Sequence, residues 1–167
     1  FRERQSCAFF GKNAIVARNL MGGVIERNVV HDTAKRTLRD NYVVGGNAIF
    51  TSYVDGTVVQ YNEGYRNCAN ASDGAFLDAD LQSKDTVWQY NYSHDNRFGL
   101  FTCCTYKKDN PIVRGNLSVN DQGAYHGVVA LNYVCEGLQF YNNTIITGPT
   151  TTNVFDLFSN STGHYYR

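Results

Sequence analysis

The chain alternates short apolar segments with polar turns rich in glycine and asparagine, and this pattern returns along nearly its whole length. A five-residue phrase ends each time in asparagine: "VIERN", "VVQYN", "VWQYN", "IVRGN" and "LQFYN". A second apolar phrase begins 15 to 17 residues before each asparagine: "NAIVAR", "NAIFTS", "GAFLDA", "GLFTCC" and "GVVALN". Segments this short favour β-strands, and none carries the long apolar stripe of an amphipathic helix.

The spacing of the phrases predicts the fold. The five asparagines are Asn28, Asn62, Asn91, Asn116 and Asn142, and successive ones lie 34, 29, 25 and 26 residues apart. A repeat of this period with two or three short strands in each round is typical of a parallel β-helix, in which every strand pairs with its counterpart one coil away. A further copy, "NVFDLF", begins a sixth round. We therefore expect an all-β, single-domain right-handed parallel β-helix of about six coils over residues 1–167.

The repeated asparagine has a physical explanation in such a fold. Side-chain amides that occupy the same turn in successive coils can hydrogen-bond to one another along the axis and so satisfy buried polar groups. The five asparagines are thus predicted to form a ladder. A buried ladder would also prevent glycosylation at the N-x-S/T sequons of Asn91, Asn116 and Asn142, but not at those of Asn70 and Asn160.

These repeats resemble a known family. The segment "DGAFLDADLQSKDTVWQYNYSHDN" and its weaker copies look like the right-handed parallel β-helix repeats of the pectin lyase-like superfamily. The resemblance implies a secreted or cell-surface protein, because that superfamily is dominated by enzymes that cut polysaccharides, both hydrolases and lyases. It also contains non-enzymatic adhesins and phage tail spikes, so the fold alone does not decide the activity.

Composition narrows the choice of partners. Lys and Arg together number 15, as do Asp and Glu, so no basic surplus indicates nucleic acid. No window of about 18 apolar residues predicts a membrane span. The five cysteines show no zinc spacing, and their odd number leaves room for one disulfide beside buried thiols. The chain begins without Met, which we interpret as a mature form, a fragment or a chain without its caps.

Asp78 and Asp80 are the leading catalytic candidates. Residues two apart on a strand share a face and lie roughly 6.5–7 Å apart, which matches the separation of acid and base in an inverting glycosidase. By alignment of the phrases, Tyr53 and Tyr133 take the place of Asp80 in other coils and would bind a sugar. Since two unpaired carboxylates would be costly to bury, we expect this face to point outward, together with Phe76.

Two weaker clusters add candidates. The turn "SHDNR" places His94, Asp95 and Arg97 at one edge, where His94 and Arg97 would help to bind substrate. Asp73-Gly74 and His126-Gly127 echo the Asp-Gly and His-Gly signatures of the polygalacturonases, and the resemblance makes Asp73 and His126 further catalytic candidates. The paired aspartates and the later Arg-Ile-Lys motif of those enzymes are missing here.

The sequence thus predicts a carbohydrate-active protein, first of all a glycoside hydrolase that uses paired aspartates and needs no cofactor. One alternative is a polysaccharide lyase, in which Ca²⁺ or arginine would neutralise a uronate carboxylate. The other is a structural or adhesin β-helix whose coils associate end to end, because open strand edges invite pairing. A polysaccharide or other glycan is the expected partner in the enzymatic hypotheses.

Overall fold

The computed structural model describes residues 13–33, 46–68, 74–105, 109–132, 135–157 and 165–166, and every regular element in these ranges is a β-strand. The first sheet contains β1 (Ile15–Glu26), β3 (Ile49–Gln60), β5 (Leu77–Asp80), β6 (Ser83–Lys84), β7 (Val87–Gln89), β9 (Phe101–Cys104), β10 (Ile112–Arg114), β12 (Val129–Leu131), β13 (Gln139–Tyr141), β15 (Phe155–Leu157) and β16 (Tyr165–Tyr166). The second sheet contains β2 (Val29–His31), β4 (Glu63–Tyr65), β8 (Tyr92–His94), β11 (Leu117–Val119) and β14 (Thr144–Ile146).

Each strand pairs in parallel with the equivalent strand of the next coil. In the second sheet the order is β14-β11-β8-β4-β2, so five coils stack there in chain order. The first sheet begins a further coil, to which β15 and β16 belong. The predicted parallel β-helix is therefore confirmed, with slightly fewer complete coils than six among the described residues.

Residues in the left-handed conformation mark the corners of the coil. One column of them directly precedes the repeated asparagines and consists of Arg27, Tyr61, Tyr90, Gly115 and Asn142, with φ between 53° and 62°. A second column precedes β7 and its equivalents and consists of Gly22, Gly56, Asp85, Asn110 and Gly137. Glycine, asparagine and aspartate tolerate positive φ best, which explains the second column. The backbone of the arginine and the tyrosines in the first column is strained at positive φ. The hydrogen bonds of the asparagine that follows each of them hold this conformation in place.

Those hydrogen bonds form the asparagine ladder, which consists of Asn28, Asn62, Asn91, Asn116 and Asn143. At each level the backbone N–H and the side-chain Nδ2 donate to Oδ1 of the next coil's asparagine, at 2.9–3.0 Å. From the second level on, Nδ2 also donates to a carbonyl of the preceding coil, such as Val59 O for Asn91. Asn62, Asn91 and Asn116 are at most 2% exposed, so the ladder satisfies groups that water cannot reach.

The prediction that Asn142 belongs to the ladder is wrong by one residue. Val113 pairs with Phe140, and Asn116 donates to Asn143 Oδ1, so the last coil holds one more residue than the sequence alignment assumed. Asn142 instead occupies the left-handed position before the ladder and is exposed. Its sequon consequently lies at the surface, whereas those of Asn91 and Asn116 are buried as predicted.

A second ladder, of mixed composition, runs along the next corner of the coil through Thr33, Asn67, Asn96 and Asp121. Thr33 and Asn67 both donate to Oδ1 of the asparagine one coil further, and Asn96 N donates to Asp121 Oδ1 at 2.9 Å. Asp121 Oδ2 accepts from Ser93 Oγ and Ser118 Oγ, each at 2.6 Å. A carboxylate, which only accepts hydrogen bonds, thus replaces the amide at the last described level of this ladder.

The core consists of columns of apolar side chains that stack from coil to coil. Ile49, Leu77, Phe101 and Val129 lie opposite one another in successive strands, and all are fully buried. Trp88 is also fully buried, with its ring 5.4 Å from that of Phe101. Phe76 also belongs to this core, whereas the sequence predicted that it points outward. It lies before the first residue of β5, so the alternation of sides along the strand does not apply to it.

One disulfide links neighbouring coils through the core side of the sheet. Cys103 on β9 bonds to Cys135, and their Cα atoms are 6.0 Å apart. Because this bond closes a segment with a sequence separation of 32 residues, it restricts the unfolded chain. The described residues thus contain the one disulfide for which the cysteine count leaves room.

Candidate functional site

The side of β5, β9, β12 and β15 that points away from the core carries the leading catalytic candidates, and we call it the aspartate face. Its residues, from strand to strand, are Asp78 and Asp80, Thr102 and Cys104, Ala130 and Asn132, and Asp156. Side chains alternate along a strand, and Leu77 and Ala79 point into the core. Asp78 and Asp80 therefore point away from the core, as the sequence predicted.

Asp78 nevertheless differs from the prediction in its burial. It is 4% exposed, and Asn47 Nδ2 donates to its Oδ2. Asn47 is itself fixed, because its Oδ1 accepts from Ala75 N at 2.8 Å and its backbone N–H donates to Asn13 Oδ1 at 2.7 Å. Asn13, Asn47 and Asp78 thus form a third, shorter ladder between coils. It holds the Asp78 carboxylate, which the sequence predicted to be solvated, in a buried position.

Asp80 lies at the end of the same strand in a more open environment. Its side chain is partly exposed, and Oδ1 accepts from Leu81 N at 2.8 Å. Its backbone carbonyl accepts from Ser83 Oγ at 2.7 Å, which fixes the turn between β5 and β6. Two carboxylates on one face thus have unequal environments, which is how glycosidases separate the roles of acid and base.

A depression of about 330 Å³ lies at the turn that follows β5, and Asp80 is not among the residues that line it. Its lining residues are Met21, Tyr53, Val54, Asp55, Gln82, Lys84 and Asp109. Val54 pairs with Ser83, and Tyr53 N donates to Leu81 O at 2.7 Å, so Tyr53 lies opposite Gln82 and not opposite Asp80. The predicted equivalence was therefore wrong, yet Tyr53 is 43% exposed and lines the depression.

The charges of this depression are mostly negative. Lys84 Nζ lies 3.2 Å from Asp55 Oδ2 and 3.5 Å from Asp85 Oδ2. The hydrogen bond that Lys84 Nζ donates to Asp55 is the main cause that raises the pKa of Lys84 above its usual value. The lysine is therefore charged and already paired, and Asp109 adds a further acidic side chain.

His126 lies in the turn before β12 and contacts the aspartate face at Asp156, far from Asp78. Its Nδ1 is 3.6 Å from Asp156 Oδ2, a contact between residues 30 positions apart. Asp156 pairs with Ala130, Ala130 with Thr102, and Thr102 with Asp78. At about 4.8 Å for each strand, Asp156 and Asp78 are roughly 14 Å apart.

Arg97 lies close to His126 in the same corner. Its guanidinium carbon is 5.6 Å from the ring centre of Tyr125, whose hydroxyl lies 3.4 Å from Nη2. Tyr125 stacks on Phe98, and the Phe98 ring is also 6.2 Å from that of His126. The structure thus brings two predicted residues together, adds Tyr125 and Asp156, and separates all four from Asp78.

His94 lies on the second sheet and faces a different side of the molecule. Its ring stacks between those of Tyr65 and Tyr92, at 4.8 and 4.5 Å. Its Nδ1 lies 2.8 Å from Asp95 Oδ2, and this hydrogen bond is the main cause that lowers the pKa of Asp95. The structure does not bring His94 to the aspartate face.

Asp73 and Tyr133 lie outside the described residues. Within the described ranges, no group of three His, Cys, Asp or Glu side chains is arranged to hold a metal ion. No helix long and apolar enough to span a membrane occurs in the same ranges.

Comparison with known proteins places these coils among the β-helices. The fold matches the crystal structure of a GH136 lacto-N-biosidase from Eubacterium ramulus with a TM-score of 0.59 and 21% identity, over 92% of this chain and 26% of that one. A lacto-N-biosidase of Bifidobacterium longum subsp. longum is 34% identical over 146 residues, which are 81% of this chain and 9% of the relative. The chain therefore spans about a tenth of that relative's length. No family model matches it.

Proposed function

We propose that these coils belong to a glycoside hydrolase that acts on a glycan, with lacto-N-biosides as the first substrates to test. The observation that carries the proposal is the 34% identity with a lacto-N-biosidase over most of this chain. The parallel β-helix and its acidic outer face are consistent with a polysaccharide-cutting member of the pectin lyase-like superfamily. The Cys103–Cys135 disulfide supports an extracellular location, where disulfides persist.

Asp78 and Asp80 are the proposed acid and base. In an inverting reaction one carboxyl gives its proton to the leaving oxygen, while the other takes a proton from the water whose oxygen bonds to the anomeric carbon. The accessible Asp80 is suited to the base, because a carboxylate remains charged at lower cost in water. Residues two apart on a strand are roughly 6.5–7 Å apart, which suits Asp78 as the acid of an inverting pair, and Tyr53 offers an exposed ring at the neighbouring depression. No cofactor enters this reaction.

The charges at the site favour a hydrolase over a lyase. A lyase must neutralise the uronate carboxylate before a proton is taken from the adjacent carbon, which requires Ca²⁺ or free cationic side chains. Lys84, which lines the depression, is already paired with Asp55 and Asp85. An acidic sugar would therefore meet a surplus of carboxylates there.

The test measures reducing ends and absorbance near 235 nm in parallel, on an aryl lacto-N-bioside and a polysaccharide panel. Wild type, Asp78→Asn and Asp80→Asn are compared, with Asp95→Asn as a control from the second sheet. We expect reducing ends without new absorbance, a loss of at least about 10³-fold in kcat for Asp80→Asn, and full activity in the control.

Other results would change the assignment. If only Asp80→Asn is inactive, Asp78 is a positioning residue. New absorbance would indicate a lyase. The absence of any product, together with unchanged glycan binding in both aspartate variants, would favour a non-catalytic glycan-binding or adhesin β-helix.

A further inference from the structure

One residue beside the proposed catalytic pair is held by hydrogen bonds from both neighbouring coils. Asn47 lies just before β3 and is 3% exposed. Its backbone N–H donates to Asn13 Oδ1 at 2.7 Å, and its Oδ1 accepts from Ala75 N at 2.8 Å. The remaining group of the amide, Nδ2, donates to Asp78 Oδ2. The side chain therefore cannot turn without breaking one of these bonds.

The hydrogen bond from Ala75 decides which end of the Asn47 amide faces Asp78. A backbone N–H only donates, so the amide atom that faces Ala75 N must be the oxygen. The NH₂ group is therefore the end that is directed at Asp78. An ionised carboxylate only accepts hydrogen bonds. Asn47 thus presents to Asp78 the donor that its charged form requires.

Asn47 uses its amide differently from the residues of the asparagine ladder. In that ladder the backbone N–H and Nδ2 of one asparagine donate to the same Oδ1, as those of Asn62 do to Asn91. Asn47 separates the two donors, because its N–H donates to Asn13 while its Nδ2 donates to Asp78. One donor of a structural column is thereby directed to the proposed acid.

The positions directly beside Asp78 in register carry no ionisable side chain. Phe50 of β3 lies opposite it on one side, and Thr102 of β9 lies opposite it on the other. The titratable side chains that follow on the same side of β5 and β9 are Asp80 and Cys104, which pair with each other. A hydrogen bond to a carboxylate is stronger in such a buried position than in water. The bond from Asn47 should therefore affect how readily Asp78 becomes charged.

We propose that Asn47 is a positioning residue that holds the Asp78 carboxyl and stabilises its negative charge during catalysis. The inference rests on the proposed function. There Asp78 gives its proton to the leaving oxygen as the glycosidic C–O bond breaks, while Asp80 takes a proton from the attacking water. Asp78 thus gains its charge in this step. A donor that is already in place favours the charged form and lowers the barrier without rearrangement.

The first measurement is the pH dependence of kcat/KM for wild type, Asn47→Ala and Asn47→Asp on the aryl lacto-N-bioside. Loss of the donor makes the Asp78 carboxylate less stable, so the basic limb of the profile, which reports the ionisation of the acid, should move to higher pH. At the wild-type optimum kcat should fall by about 10- to 100-fold with KM unchanged, as when a group that orients the reacting atoms is lost.

Two further variants make this measurement specific. Asn47→Asp retains an oxygen that can accept from Ala75 N, so it tests the inference even if Asn47→Ala does not fold. It also places a second carboxyl against Asp78, which should move the basic limb in the same direction. Asn143→Ala removes an acceptor from the asparagine ladder and is the control for a loss of stability alone. It should leave kcat and the pH profile unchanged.

Carboxyl-carbon NMR of isotopically labelled aspartate separates this inference from the proposed function, because it requires no turnover. The Asp78 signal is assigned by its loss in Asp78→Asn. Its titration midpoint should rise in both Asn47 variants and remain unchanged in Asn143→Ala, which would support the role of Asn47 even if wild type hydrolyses nothing. An unchanged midpoint in both Asn47 variants, or a loss of kcat without a shift of the basic limb, would overturn it. Far-UV circular dichroism confirms that the variants are folded.

Discussion

The asparagine ladder and the aspartate face are both columns of side chains in register from coil to coil, yet they are built on opposite rules. The ladder repeats one residue at each level, so every amide donates to the next and accepts from the previous one. The aspartate face changes at every level, from Phe50 through Asp78, Thr102 and Ala130 to Asp156. The repeated asparagines stabilise the solenoid. The aspartate face does not need the same residue at each level, so functional side chains can occupy it.

The largest effect on stability is expected from the middle of the ladder. Asn91→Ala would leave Asn62 N without its acceptor and would remove the side-chain bonds of residue 91 with Asn62 Nδ2, Asn116 Oδ1 and Val59 O. At about 1–3 kcal/mol for the buried unsatisfied donor and about 1 kcal/mol for each further buried hydrogen bond that is lost, the free energy of unfolding should fall by about 3–5 kcal/mol. Urea denaturation measures it. A loss below about 1 kcal/mol would mean that the ladder is not a structural element.

A smaller effect tests the register of the last coil with two neighbouring residues. Asn143→Ala removes the acceptor of Asn116 and should cost about 1–3 kcal/mol. Asn142→Gly should be neutral or slightly stabilising, because glycine adopts its φ of 53° without strain. Thermal unfolding of both variants measures these changes. A larger loss of stability in Asn142→Gly than in Asn143→Ala would mean that Asn142 is the ladder residue, as the sequence predicted.

The mixed ladder should differ from the asparagine ladder in its dependence on pH. Burial raises the pKa of Asp121 above its usual value, against the opposing hydrogen bonds of Ser118 and Ser93. A raised pKa in the folded state means that the stabilisation is complete below the unfolded value of about 3.9 and is lost as pH rises through the folded value. Asp121→Asn should remove this loss and be at least as stable as wild type at pH 7. Urea midpoints between pH 3.5 and 8 test this, and parallel curves for the two proteins would contradict it.

The smallest effect is expected at the surface, beside the aspartate face. Lys84→Gln removes the contacts with Asp55 and Asp85, which are exposed and screened by salt. We expect no measurable change in Tm at 0.15 M salt. A clear decrease in Tm would show that the depression contributes to the fold and is not a surface free to specialise.

Repetition also explains how much the sequence could predict. The fold and four of the five ladder residues followed from similar phrases that end in the same residue, because a stacked amide needs asparagine at each level. The errors at Asn142 and Tyr53 are slips of register where coils differ in length. The outward direction of Asp78 followed from strand alternation, but its burial depends on Asn47, 31 residues away. The contact between His126 and Asp156 had no signal in the sequence, since only the stacking of β12 on β15 creates it.

The left-handed residue and the ladder asparagine that follows it also limit how such a chain can change its length. Between ladder positions the coils already range from 25 to 34 residues, so surplus residues can be accommodated there. One residue inserted between Tyr90 and Asn91 would instead separate the left-handed corner residue from the ladder asparagine that must follow it directly. Deletion of residues 92–116 would join Asn91 to Leu117 and leave the column intact with one level fewer. Viable insertions and deletions should therefore either remain between the corners or add and remove whole coils, which is how tandem duplication would lengthen this protein.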